Sequence, residues 1–382
     1  MTQHADFGRF FLPGPTEVHP DVLAAMRRPV IGHRGPEMSD LLASVDRPLR
    51  QIFGAERPVY ISTSSATGFM EAAISNLSRR RILCLVGGAF GERFHAIATR
   101  CGRPADRLEV EWGQPNTPDD LRDALAEDPG RYDLVTVVHS ETSTGVLNPI
   151  TQLAGVVSEF DDILLAVDGV TSVGGTRIEF ENWGVDFLLT GSQKALALPP
   201  GLAFAVASDA ALARAASIPD RGFYFDLVEF DRRAREFSTT NTPAVSLFYA
   251  LHRQLERIAD EGLDERFARH ERMARRTAAW TESLAATSGR PFRVLAPPGY
   301  RSPTVTAISL PHEVSAPGVV GRLADQGITI AAGYGKLKNS TIRIGHMGDH
   351  TEAELEVVLD AVTAAGVGSR ESVAPAMLRD GR

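Results

Sequence analysis

Three short segments of this chain carry residue types that can do chemistry together. The first is Ser62-Thr63-Ser64-Ser65-Ala66-Thr67-Gly68, which follows the apolar run Val59-Tyr60-Ile61 and precedes Met70, Ile74 and Leu77 at helical spacing. A strand ending there and a helix starting there would aim free backbone N–H groups, hydroxyls and the positive end of a helix dipole at one point. Such a turn can cradle a phosphate, and the same residues also serve an ordinary helix cap. The second is Asp168, placed directly after Ile163-Leu164-Leu165-Ala166-Val167 and before Gly169-Val170-Thr171-Ser172. A carboxylate at the end of a buried strand needs a partner, and a metal, a helix N-cap or a protonated pyridine nitrogen would each supply one. The third is Lys194 in Thr190-Gly191-Ser192-Gln193-Lys194, followed by Ala195-Leu196-Ala197-Leu198-Pro199-Pro200-Gly201. In apolar surroundings a lysine loses part of its proton affinity, which favours attack on an aldehyde and later proton shuttling. A lysine that snorkels to the surface would read the same way in isolation. The order of the three, a phosphate-type turn, an acid at one strand end and a lysine at the next, is what joins them.

The elements that must position these residues are legible as βα units. From Val59 to about Ala205 short apolar runs alternate with helix-like stretches, which predicts a mostly parallel sheet. The strands are Val59–Ser62, Ile82–Val86, Leu134–Val138, Ile163–Val167, Phe187–Leu189 and Ala203–Val206. Ligands of open α/β sheets bind beyond the carboxyl ends of the strands, where all three segments fall. Past Thr242-Pro243, the spacing of Leu251, Leu255 and Ile258 predicts one long connecting helix within Ala244–Leu284. After the Ala296-Pro297-Pro298-Gly299 break come a strand at Thr304–Leu310, a helix from Pro317 to Gln326 and a strand at Thr341–Ile344. This predicts a large α/β domain over 16–260 and a smaller α+β domain made of 261–382 with the extended N-terminal segment 1–15. The tail from Gly366 to Arg382 reads as mobile.

Composition limits the partners. The 382 residues include 43% hydrophobic and 23% charged side chains, enough for a large core and more than one domain. A formal net charge of -8 offers no basic field for nucleic acid, so a small anionic substrate would need a local cluster of cations. Cys84 and Cys101 have neither metal-ligand spacing nor the count of a disulfide framework, which fits a reducing cytoplasm and no metal. The N-terminal MTQHADFGRFFLPGP lacks the pattern of a signal peptide, and no apolar run reaches the length of a membrane span.

Beyond these readings the chain resembles a known family, the class V aminotransferases of fold type I, and within it the alanine-glyoxylate and serine-glyoxylate group. The residues carrying the resemblance are Phe11-Leu12-Pro13-Gly14-Pro15-Thr16, Ser65-Ala66-Thr67-Gly68, Gly88-Ala89-Phe90-Gly91-Glu92-Arg93, His139-Ser140-Glu141-Thr142-Ser143-Thr144-Gly145, Val167-Asp168-Gly169-Val170, Gly191-Ser192-Gln193-Lys194, Asn241-Thr242-Pro243-Ala244 and Ile342-Arg343-Ile344-Gly345. They span nearly the whole chain. The resemblance implies the α/β fold of pyridoxal-phosphate (PLP) transferases, a mostly parallel seven-stranded sheet with a smaller C-terminal α+β domain, in a cytoplasmic homodimer with active sites at the subunit interface.

It also implies roles. Lys194 would hold PLP as a Schiff base, and Asp168 would pair with its ring nitrogen. Ser65, Ala66, Thr67 and Gln193 would bind the phosphate, joined by Thr242 from the other subunit. Phe90 would stack on the ring in place of the tryptophan, histidine or tyrosine of many relatives, Ser143 would lie near the ring hydroxyl and the substrate, and Arg343 would bind the substrate carboxylate bidentately. Phe90 as core packing and Arg343 as a structural ion pair are the alternatives. The implied reaction is a ping-pong transfer from serine or alanine to glyoxylate or pyruvate.

One segment points elsewhere. Gly32-His33-Arg34-Gly35-Pro36 resembles the His-Arg pair with which phosphoserine aminotransferases bind a substrate phosphate, although a second His-Arg pair near the C-terminus is not evident and Gly335-Lys336-Leu337-Lys338 and His346 stand there. Phosphoserine with 2-oxoglutarate is therefore the competing substrate pair, and a loop arginine at a dimer interface the bland reading of Arg34. A cysteine desulfurase is disfavoured because both cysteines precede Lys194. From other classes, an NAD-dependent dehydrogenase would need G-x-G-x-x-G spacing, which Val86-Gly87-Gly88-Ala89-Phe90-Gly91 lacks, and a non-catalytic PLP-binding protein is the remaining possibility.

Overall fold

A computed structural model of the protein describes residues 7–366. Its main sheet holds seven strands: β1 (Tyr60–Ser62), β2 (Ile82–Val86), β3 (Ala105–Glu109), β4 (Leu134–Val138), β5 (Leu164–Asp168), β6 (Phe187–Gly191) and β7 (Ala203–Ala207). Their order across the sheet is β1-β7-β6-β5-β4-β2-β3. β7 runs antiparallel to both neighbours and the other pairings are parallel, so the expected mostly parallel sheet is present. Two antiparallel pairings in a row turn β1 parallel to β6 again. Ser62, Asp168 and Gly191, the last residues of β1, β5 and β6, therefore end at one edge of the sheet, and the three chemical segments start there.

The strands read as unbroken apolar runs because both sheet faces are covered. Leu83, Leu85, Val135 and Val137 pack in one core, while Cys84, Val86, Leu134 and Val138 pack in another on the opposite face. β3 is the strand the sequence hides. It lies at the sheet edge, where Asp106, Arg107 and Glu109 meet solvent or ion partners, and so it lacks the apolar signature.

The helices that bear on the site are α1 (Pro36–Phe53), α2 (Ala66–Leu77), α3 (Ala89–Arg100), α4 (Leu227–Arg235), α5 (Val245–Glu261) and α6 (Leu263–Ser288). The single long helix expected over Ala244–Leu284 is two helices. Gly262 adopts φ +83 between α5 and α6, a conformation no helix interior allows.

A second, antiparallel sheet follows, formed by β8 (Arg293–Val294), β9 (Thr306–Ser309), β10 (Ala331–Ala332) and β11 (Thr341–Ile344) in the order β8-β9-β11-β10. With α6, α7 (Ala316–Ala324) and α8 (Glu352–Gly366) it encloses its own core of Trp280, Ile308, Leu323, Ile342 and Leu355. Phe11 is fully buried in that core, and its N–H donates to the Thr329 carbonyl at 2.7 Å, so the N-terminal segment packs with this smaller sheet. No helix among the described residues is long and apolar enough to cross a membrane. Residues 367–382, where a mobile tail was expected, lie outside the described residues.

Candidate active site

Lys194 sits in a loop whose backbone accepts three hydrogen bonds from two residues outside it. The Thr16 N–H donates to the Gln193 carbonyl at 2.9 Å and the Thr16 hydroxyl to the Lys194 carbonyl at 3.0 Å. From α6, the buried Arg266 guanidinium donates to the Ala195 carbonyl at 2.7 Å. The loop also forces Ala197 to φ +51. The lysine side chain is buried, and its Nζ donates to the Pro13 carbonyl. Gly14 has φ +101, and a Cβ there would lie 2.4 Å from Nζ, so the residue facing the amine must have no side chain. Burial, and after it the Arg343 charge, bring the Lys194 pKa down to about 8, with Asp168 and Glu141 opposing.

Asp168, at the end of β5, is buried too. Burial pushes its carboxyl up to about 6, against a stabilising 2.8 Å bond from the Val170 N–H to Oδ1. Its Oδ2 receives no hydrogen bond among the described residues, which leaves an acceptor for an external cationic donor.

Beyond β1, Ser65 caps α2 in extended conformation without a side-chain hydrogen bond to the helix. The Gly68 N–H donates to the Ser65 carbonyl at 2.9 Å, while the Ala66 and Thr67 N–H groups and the Ser65 and Thr67 hydroxyls are unengaged among the described residues. Together with the dipole they can hold a phosphate. Gly191 brings Gln193 to this turn, since a Cβ at Gly191 would meet Gln193 Oε1 at 2.7 Å and Ala66 Cβ at 3.3 Å. The segment holding Thr242 is next to it as well. The Ala244 N–H donates to the Thr63 hydroxyl at 3.0 Å, and Thr63, Tyr224 and Thr239–Pro243 line one small cavity. Thr242 is exposed.

A short hairpin, Ser140–Glu141 paired with Val146–Leu147, forms another wall. Glu141, which reading by types and spacing left without a role although it lies inside a quoted motif, is central to this wall. It is 2% exposed and accepts hydrogen bonds from the Phe90 and Gly91 N–H groups at the start of α3, and from the N–H and hydroxyl of Ser143. Ser143 Oγ also accepts from the Ala89 N–H at 3.1 Å, so its own proton is committed to Glu141 and it has only acceptor capacity left. The Gly88–Gly91 turn is filled by this carboxylate. A dinucleotide pyrophosphate, which a dehydrogenase would place on such a helix start, has no room there. Phe90 is half-buried, with the Arg93 guanidinium 4.7 Å from its ring centre and Tyr334 at 5.9 Å.

Arg343 enters from β11. It is 8% exposed, Nε donates to the Ala332 carbonyl at 3.1 Å and Nη1 to the Thr142 carbonyl at 3.2 Å, and Nη2 has no acceptor among the described residues. No acid lies within ion-pair reach among them, so the alternative of a structural salt bridge falls away. Two backbone carbonyls orient the fork and leave its outer edge without an acceptor among the described residues, a shape that matches a carboxylate.

His33 and Arg34 are not part of this cluster within the chain. Arg34 lies on the surface and donates to the Thr239 carbonyl at 3.0 Å, bracing the loop that leads to Thr242. Lys194, Asp168, Ser65, Ala66, Thr67, Gln193, Phe90, Ser143 and Arg343 are thus gathered at or beside one sheet edge. Thr242 borders them.

Comparison with known proteins places the chain in a family. A family model described as aminotransferase class-V matches residues 13–358. The chain is 38% identical over 362 residues to an uncharacterized aminotransferase of Methanocaldococcus jannaschii, covering 93% of this chain and 91% of that one. It is 30% identical over 369 residues to the serine–glyoxylate aminotransferase of Methylorubrum extorquens, covering 93% and 90%. The crystal structure of the alanine–glyoxylate aminotransferase from Nostoc sp. superposes with a TM-score of 0.87 at 30% identity, covering 94% of this chain and 95% of that one.

Proposed function

The chain belongs to the class V aminotransferases, and from that premise we propose that it is a PLP enzyme moving the amino group of serine or alanine to glyoxylate or pyruvate. The observation that carries the reading is Lys194: a buried amine without an ion pair among the described residues, with Asp168 and the Ser65–Thr67 helix start at the same sheet edge.

The residues fit the cofactor. Lys194 has the amine for its aldehyde, Asp168 an open oxygen for its ring nitrogen, and Ser65, Ala66, Thr67 and Gln193 a helix start with unengaged hydroxyls for its phosphate. When bound, PLP supplies an electron sink for the bonds to the substrate Cα. Asp168, in its anionic form, would keep a proton on the ring nitrogen. Lys194 would hold the cofactor through Nζ, and its amine, when free, would take and return the substrate Cα proton. A pKa of about 8 leaves roughly a tenth of such an amine neutral at pH 7, against about one part in three thousand for an ordinary lysine. Phe90 offers the ring a flat face, and the outer edge of Arg343 orients the substrate carboxylate.

Exposed Tyr224 and Phe237 flank the Thr239–Thr242 segment. Apolar surface so close to a site supports a homodimer in which Thr242 serves the neighbouring site. The two-domain division, 16–260 against 1–15 with 261–382, is supported by the separate core of the second sheet. Cys84 and Cys101 are both free, which supports a reducing cytoplasm.

A donor and acceptor screen tests the substrate. Serine or alanine is expected to abolish the visible absorbance of the holoenzyme, and glyoxylate or pyruvate to restore it. Bleaching by phosphoserine alone, reversed by 2-oxoglutarate, would overturn the substrate assignment.

A further inference from the structure

The hairpin wall of the site is organised around one side chain. Glu141 Oε2 accepts from the N–H groups of Phe90 at 3.1 Å and Gly91 at 3.2 Å, while Oε1 accepts from the Ser143 N–H at 3.1 Å and the Ser143 hydroxyl at 2.5 Å. All four donors are neutral, so the carboxylate is held by geometry and by the dipole of α3 rather than by a countercharge. Thr142, between the two partners, accepts from Arg343 at its carbonyl and shares a hydrogen bond between its hydroxyl and that of Thr171, in the loop after Asp168. A helix start that could have taken a ligand anion is thus occupied by the protein's own.

We propose that Glu141 is a positioning residue for amino transfer: its carboxylate joins the aromatic platform Phe90, Ser143 and, through the Thr142 carbonyl, the substrate arginine Arg343 into one rigid wall. The role rests on the reading of the site as a PLP aminotransferase. Gly88 supplies independent support. A Cβ at Gly88 would lie 2.4 Å from Glu141 Cδ and 2.5 Å from Ser143 Oγ, and both side chains are pinned by the bonds above, so neither can move aside cheaply. The charged groups facing Glu141 are Asp168 from β5, Lys194 from its loop and Arg343 from β11, and the negative charge at Glu141 favours the protonated form of Lys194.

Two variants separate position from charge. Glu141→Gln keeps the shape and removes the charge. In the holoenzyme it should lower kcat/KM for the amino donor roughly tenfold or more, with a raised KM. It should also move the midpoint of the pH-dependent visible absorbance change downward, because a nearby anion no longer favours the protonated form. Gly88→Ala keeps the charge and displaces the carboxylate. It should lower kcat/KM similarly while leaving the absorbance midpoint near that of wild type. Circular dichroism melts are expected to track wild type for Glu141→Gln and to fall for Gly88→Ala, whose added Cβ must displace pinned side chains, with both variants still folded at the assay temperature. A folded Glu141→Gln holoenzyme with wild-type kcat/KM and midpoint overturns the proposal. Should that variant fail to fold, wild-type kcat/KM in Gly88→Ala does the same. A wild-type protein that takes up no PLP overturns the functional reading itself, whereas a wild type that transaminates beside variants that match it overturns only the role of Glu141.

Discussion

At the scale of single residues, the acids of this site are placed where stability alone would not put them. Asp168 titrates near 6 in the folded protein against an ordinary 3.8. Between those values the folded state holds a proton that the unfolded state has lost, so burial of Asp168 costs stability, fully above pH 6 and not at all below about 4. Asp168→Asn keeps the acceptor for the Val170 N–H and removes the charge. We expect it to stabilise the apoprotein at pH 7 by up to about 3 kcal/mol, a gain that shrinks toward pH 4, while cutting kcat by two or more orders of magnitude. Urea unfolding at the two pH values with a rate assay checks this, and a variant destabilised at pH 7 would contradict it. Asp168 and Lys194 were legible in the sequence because each follows an apolar strand by a residue or a few, a pattern that fixes the sheet edge they occupy. The role of Glu141 was not. A buried acid in a two-residue strand has no periodicity to mark it, and its partners, the N–H groups of α3, lie about fifty residues away.

At the scale of elements, the central strands could be read because both of their faces are buried, and β3 could not because its exposed edge carries charges. The helix pair α5 and α6 shows the limit of periodicity. Apolar spacing continues across the junction and only Gly262 interrupts it, yet its φ of +83 separates the two axes and lets Arg266 reach the Ala195 carbonyl behind the lysine. Replacing Gly262 with alanine keeps the open space around it, since no atom lies within 4 Å of the added Cβ, but imposes a strained backbone. A loss of about 1 kcal/mol in urea unfolding is expected, with amino transfer retained. An unchanged or raised stability would show that the junction straightens into the single helix the spacing suggests.

For the molecule as a whole, the seven-stranded sheet and the gathering of the site were legible from the order of strand-end motifs. The way the second sheet closes the site depends on long-range pairs such as Phe11 with Thr329 and Arg343 with Thr142, which leave no local trace. The junction between the sheets also holds buried histidines. Burial brings His139, His346 and His350 down to about 4 and keeps His270 well below its ordinary 6.5. The unfolded chain binds these protons near 6.5, so their contribution to stability is full above that value and lost as pH falls toward 4. Asp168 opposes them in part of this window. The melting temperature of the apoprotein should therefore drop clearly between pH 7 and pH 5, and a flat or rising profile in calorimetry would contradict this.

The central claim is that Lys194 holds the cofactor, and the chain makes it unusually easy to test, because its only other lysines are Lys336 and Lys338, both exposed. Reducing the holoenzyme with borohydride and mapping its peptides by mass should place a single pyridoxyl group on Lys194. A pyridoxyl group on Lys336 or Lys338 instead, or on no lysine at all, would contradict the assignment.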